Sequence, residues 1–208
     1  MIPRRLLTLC LCLCLGLGAM PGCSALTAVS GAAEKLDIYT LTPARPAPAQ
    51  SNGRHLVVTP ATASGALMTD RILVKPNRLQ AQYLAAGRWA DPAPVLVQSL
   101  LVASLQNSGA FRLVGRDDAG LIPDFTLLAE LRDFQAEAPA GPDGTWTIRI
   151  GLAVTLIDES DRRVLAGRTF TQTAPAPSDQ TLPLVNAFDT AMVQVLGQIV
   201  EWSIAAVR

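Results

Sequence analysis

Residues 145–158 read TWTIRIGLAVTLID, and Trp146, Ile148, Ile150, Leu152, Val154 and Leu156 fall on every second position. A two-residue period sends alternate side chains to opposite faces of an extended chain, so this stretch is a long strand with one apolar face. The runs 124–135 before it and 164–173 after it alternate in the same way. Turn residues connect them, Pro142-Asp143-Gly144 on one side and Asp158-Glu159-Ser160-Asp161 on the other. Three long strands joined by short polar turns predict an antiparallel meander. Residues 174–178, with Pro175 and Pro177, predict a loop after it.

Beyond that loop, residues 184–207 carry Phe188, Met192, Val195, Ile199 and Trp202 at alternating steps of four and three. That is the apolar stripe of a helix packed on a sheet, and Asn186, Asp189, Gln194 and Glu201 mark the opposite face. The polar face has almost no Lys or Arg, which argues against a helix lying on lipid headgroups. Upstream, Asp91-Pro92 predicts a helix start, with the Asp91 carboxylate as cap and the proline in the first turn. Val95, Leu96, Ser99, Leu100, Val102 and Leu105 then recur near the helical period, and Gly109 predicts the stop. The runs 54–59 and 111–114 read as strands flanking this helix, which is the sequence plan of a βαβ unit.

Nearer the amino terminus, residues 71–75 and 78–85 flank Pro76-Asn77, a hairpin signal. Leu79, Ala81 and Tyr83 would face one way and Arg78, Gln80 and Gln82 the other, as in a sheet wet on one side. Residues 36–41 alternate as a further strand, and the three prolines of residues 43–48 predict a plain extended linker. The fold expected is α/β: a mixed sheet of about six strands, including the C-terminal antiparallel meander, with two main helices packed on it.

Composition narrows the function. Charged residues make up 16% of the 208 positions, against about 25% in typical soluble proteins, and Lys+Arg equals Asp+Glu at 17 each. A chain so weakly charged is a poor candidate for phosphate-backbone binding, so nucleic acid is not an expected partner. Residues 1–5 carry Arg4 and Arg5, and residues 6–19 are an unbroken apolar and small run. This is the charged-then-apolar plan of an export signal, and it is shorter than the roughly 20 residues that span a bilayer. Residues 1–22 are therefore expected to be a signal peptide.

The four cysteines stand at positions 10, 12, 14 and 23. The first three lie in the apolar run and leave with it, so Cys23 is a lone thiol in an exported chain, with no partner for a disulfide. It directly follows Met20-Pro21-Gly22 at the end of that run. The arrangement resembles a bacterial lipobox, which implies cleavage before Cys23 and a diacylglycerol on its thiol, with Met20 and Pro21 in place of the usual Leu and Ala. Ser24 rather than Asp in the next position implies release to the outer membrane in that class of lipoproteins. Residues 23–35, small or polar, would form a flexible tether able to reach about 40 Å. Residues 36–208 are expected to be a single domain.

Catalytic chemistry is sparse. The chain holds one histidine, His55, at a strand entrance, where a hydrogen-bonded or solvent-facing role is expected. Asp117-Asp118 and Asp158-Glu159-Asp161 are carboxylate clusters of solvated turns. No catalytic residue, cofactor site or metal site is assigned. Trp89, Trp146 and Trp202 are expected at core edges; alternatively Tyr83 and Trp89, close together before a helix start, are the candidates for a partner interface.

Several segments met in order carry a resemblance: Tyr39-Thr40-Leu41 ahead of the prolines, residues 69–74, Gln82-Tyr83 leading to residues 88–91, residues 100–109 with Phe111, residues 134–137, residues 156–158 with 162–166, and the 187–202 helix. Together they resemble the ABC-type transport auxiliary lipoprotein family, relatives of the paraquat-inducible C-type lipoprotein that serve transporters carrying MCE-domain proteins. The resemblance implies a non-catalytic subunit of a lipid transport system, lipid-anchored at the periplasmic face of the outer membrane. It implies an MCE-domain protein as partner, an inner-membrane permease and ATPase reached through it, and a homo-oligomeric ring. Two other readings stay open on the residues alone: a pilot or assembly lipoprotein of another envelope complex, and a periplasmic hydrolase using His55 with Asp residues.

Overall fold

The computed structural model describes residues 36–120, 122–141 and 144–208. The signal peptide expected over residues 1–22, Cys23 and the tether expected over residues 23–35 lie outside them. Leu36–Arg208 forms one compact unit, a mixed α/β fold with a curled sheet and two α-helices.

The sheet is organised on β7 (Phe125–Glu137), which pairs along its whole length with antiparallel β8 (Trp146–Asp158). β9 (Arg163–Ala176) pairs antiparallel with β8 and completes the predicted meander. The other side of β7 is shared by three strands in turn, all parallel to it. β2 (His55–Val58) pairs at its start, β3 (Thr62–Ala63) in its middle and β4 (Arg71–Asn77) at its end. β6 (Leu113–Arg116) pairs parallel with β2, as the βαβ pattern requires. β5 (Gln80–Trp89) pairs antiparallel with β4, and β1 (Asp37–Tyr39) runs parallel to the last residues of β5. Nine strands stand among the described residues where a sheet of about six was expected: eight match runs that read as strands in the sequence, β1 keeping three residues of 36–41, and the ninth, β3, is at two residues too short for a two-residue period to register.

Helix α1 (Ala93–Ser108) and helix α2 (Thr181–Ala206) contact each other and the sheet. Phe188, Met192, Val195 and Ile199 of α2 are fully buried against Ile148, Ile150, Leu152 and Leu156 of β8 and the rest of one continuous core. Helix α1 ends where expected, because Gly109 adopts φ 65° and its N–H donates to the Gln106 carbonyl. Its start differs: Asp91 makes no side-chain cap, Pro92 takes the cap position, and the Ala93 N–H donates to the Thr69 carbonyl at 3.0 Å. A backbone acceptor brought in by the fold replaces the expected local carboxylate.

Four further expectations are corrected. Residues 43–48 are not a plain linker but an extended strap over both helices. The Thr42 N–H donates to Asp189 Oδ1 at 2.6 Å, the Ala44 N–H to Ser104 Oγ at 3.0 Å, and Asn107 Nδ2 to the Ala44 carbonyl at 3.0 Å. Prolines lack an N–H, so the few donors left in the strap are matched to helix side chains while Leu41 and Ala44 enter the core. The hairpin turns at Arg78-Leu79 rather than at Pro76-Asn77; the Asn77 side chain accepts the N–H groups of both Leu79 and Gln80 and sets the turn two residues further on. Its strand is also not wet on one side only, since residues 80–86 are exposed on both faces apart from half-buried Leu84. Finally, β9 runs through Ala174 and Pro175 to Ala176, where a loop was expected. An outer strand tolerates proline because one of its edges needs no donors.

Candidate functional site

The distribution of functional side chains is set by β7. Beyond a bulge between Leu131 and Asp133, its residues Phe134 and Ala136 point into the core while Asp133, Gln135 and Glu137 share the other face. Gln135 is buried, and its amide joins the two carboxylates: Nε2 donates to Asp133 Oδ1 and to Glu137 Oε1, both at 3.1 Å. Across the ladder, Arg149 grips Glu137 with two bonds, Nε to Oε1 at 2.9 Å and Nη2 to Oε2 at 3.1 Å. Those bonds hold the Glu137 carboxyl below the usual carboxylate range and raise Arg149, against the opposing effect of partial burial. Gly151 leaves room beside them: a Cβ there would lie 2.7 Å from Asp133 Oδ2 and 3.2 Å from Asp133 Cβ, and would displace that carboxylate.

This row ends at a groove of about 720 Å³ between the β4–β5 hairpin and the chain leaving β7, lined by Lys75, Arg78, Glu137, Pro139, Ala140 and Arg149. The hairpin tip stands beside it, with Leu79 99% exposed. At the opposite end of the sheet, a second depression of about 550 Å³ is lined by Asn52, Arg54, Ile204 and Arg208 among others.

The predicted interface pair separates. Tyr83 lies on the hairpin, 43% exposed, with its hydroxyl donating to the Ala66 carbonyl at 3.1 Å and the Arg71 guanidinium 5.9 Å from its ring. Trp89 is fully buried, its ring 5.3 Å from Phe134 and 5.1 Å from Phe188, so it belongs to the core and not to a surface. A large ring at the point where β1, β5 and α2 converge fills the space between layers, which proximity in sequence to Tyr83 does not reveal. Cys23, the predicted lipid attachment residue, lies outside the described residues, as do Pro142 and Asp143 of the predicted turn.

His55 is half-buried at the start of β2. The nearby carboxylate of Asp124 accepts the His55 backbone N–H at 2.7 Å, while the ring Nδ1 lies 3.4 Å from the Ile122 carbonyl. Asp124 thus secures the strand start and does not orient the imidazole, so the two do not form the base-and-orienter pair of a hydrolase. Asp117 and Asp118 sit exposed in a 3-10 turn, and Asp158 accepts from the backbone and hydroxyl of Ser160, which lowers its pKa. Among the described residues no group of three or more His, Cys, Asp or Glu is placed to hold a metal ion, and no helix is long and apolar enough to cross a membrane. Sequence reading missed the buried Gln135 network and the strap. Its available signal was the acid–Gln–acid spacing of residues 133, 135 and 137 opposite Arg149, which keeps all three on one face of a strand.

Known proteins share this fold. The crystal structure of protein XCC0632 from Xanthomonas campestris superposes with a TM-score of 0.73 at 29% identity, covering 81% of this chain and 95% of that one. Hypothetical protein CT253 from Chlamydia trachomatis shares the fold, with a TM-score of 0.51 at 10% identity over 76% of this chain and 98% of its own. Protein bll6063 of Bradyrhizobium diazoefficiens is 28% identical over 195 residues, which are 91% of this chain and 50% of that protein, so the chain spans about half the length of the curated relative it matches. The family model of the ABC-type transport auxiliary lipoprotein component matches residues 39–200, from β1 through most of α2, and the chain belongs to that family.

Proposed function

We propose that this protein is a non-catalytic subunit of a lipid transport system, anchored through an acylated Cys23 at the periplasmic face of the outer membrane, where it docks the tunnel of an MCE-domain protein. The observation that carries the reading is the family match across residues 39–200, which covers nearly all of the compact unit. The physical sense is that each CH₂ exposed to water costs about 0.8 kcal/mol, so a lipid needs a covered route that meets the outer membrane somewhere. Two acyl chains make an anchor durable where one is marginal. The tunnel partner in turn links the subunit to an inner-membrane permease and ATPase, and a homo-oligomeric ring would match the symmetry of a tunnel. Tyr83, the surface member of the predicted pair, is the residue proposed for the partner interface.

The test is affinity capture of the acylated protein from membranes. An MCE-domain protein should be recovered with it, and Cys23→Ala should abolish acylation and release the protein from membranes washed in high salt. Repeated capture without any MCE-domain protein overturns the docking reading. Membrane retention of Cys23→Ala in high salt overturns the anchor.

A further inference from the structure

From the hairpin tip and the groove beside it, we infer that this end of the molecule seats on an anionic lipid surface, with Leu79 entering the acyl region and Lys75 and Arg78 meeting phosphate headgroups. The inference rests on the anchor proposed at Cys23. Three observations support it.

First, Leu79 is 99% exposed at the turn of a hairpin that continues past the end of β7: the Ala138 N–H bonds the Lys75 carbonyl, and Pro76 through Gln80 lie beyond that last link. Nothing among the described residues covers it. Second, the adjoining groove presents three cations, Lys75, Arg78 and Arg149, against the single carboxylate of Glu137. Arg149 and Glu137 engage each other, which leaves the charges of Lys75 and Arg78 in excess beside the apolar tip. An apolar tip flanked by cations matches an anionic bilayer surface, where apolar groups enter the boundary and cations stay at headgroup level.

Third, β1 is parallel to β5 with Asp37 level with Gly87, and β5 starts at the tip with Gln80, so the first described residue, Leu36, stands at the end of β1 that faces the tip. Seven residues of strand separate Gln80 from Gly87, about 23 Å at 3.3 Å per residue. The 24–35 stretch can extend to about 40 Å, long enough for the tip to reach the bilayer that holds Cys23.

The acylated protein carrying Leu79→Cys, labelled with an environment-sensitive fluorophore, is reconstituted into vesicles of phosphatidylethanolamine and phosphatidylglycerol. A second sample carries the label through Val164→Cys, an exposed position at the opposite end of the sheet. The label at 79 should shift to shorter emission wavelengths and be quenched by brominated acyl chains, while the label at 164 stays water-like. Adding Arg78→Gln should lower the ratio of quenched to free label about fivefold, the share of one cation at such a surface. Mass analysis of the amino-terminal peptide is made on the same samples. An acylated protein that sediments with vesicles while its label at 79 stays water-like overturns the tip contact alone. Protection of that label without any vesicle also overturns it, in favour of another polypeptide as occupant. Quenching at 79 in a protein without acyl chains supports the tip and overturns the anchor, and absence of both overturns both.

Discussion

Trp89 is fully buried, yet its indole Nε1 has no hydrogen-bond partner among the described residues. Its stabilising contribution is therefore packing, through Phe134 and an edge-on contact with Phe188. Trp89→Ala should destabilise the protein by about 3–5 kcal/mol, the usual cost of emptying a large aromatic site. Trp89→Phe should cost less than half of that, since it keeps ring contacts and removes an N–H that has no acceptor. Urea unfolding midpoints check both, and equal costs for the two variants would show that the indole makes a bond the packing account omits. Residue identity alone announces a large apolar group here. Its burial follows from β5 bringing it under α2, so the surface role read from its nearness to Tyr83 fails while Tyr83 itself stays outside.

Elements divide by how much of their pattern is local. The meander strands and α2 are long enough for periods of 2 and 3.6 to repeat several times, and both are legible in the sequence. The α1 stop is legible for another reason: Gly109 takes a left-handed conformation that costs a side chain about 1 kcal/mol or more. A Cβ there would approach only the Ala49 carbonyl, at 3.5 Å, so Gly109→Ala should cost about 1 kcal/mol through backbone conformation and not through a clash. Thermal unfolding measures it, and a loss several times larger would mean that Ala49, whose N–H bonds the Ser108 carbonyl just past the strap, is displaced as well. Elements whose partners are remote are not legible. The strap over the helices, the two-residue β3 and the passage of β9 through Pro175 each depend on a neighbour far away in sequence.

At the scale of the whole molecule, ion pairs and hydrogen bonds to carboxylates make stability depend on acidity. The Arg88 bond to Asp70, the Arg149 bonds to Glu137 and the Ser160 bonds to Asp158 all depress the carboxyl pKa in the folded state. A depressed carboxyl contributes stability that is present above its unfolded pKa of about 4 and is lost as pH falls through that value toward the folded one. The urea midpoint should hold from neutral pH to about 5 and fall below about 4, with Glu137→Gln flattening the fall. A midpoint that rises on acidification contradicts these pairings. The candidate site follows the same division. Sequence alone determined the long strands and helices and the family, because each is written in contiguous residues or in their order. Only the tertiary structure decided that Trp89 is core, that Gln135 is buried between carboxylates, and that the proline-rich strap is bound to the helices. It also decided that Leu79 stands bare beside Lys75, Arg78 and Arg149. Burial and charge proximity arise between segments far apart in the chain, and no local period encodes which of them will meet.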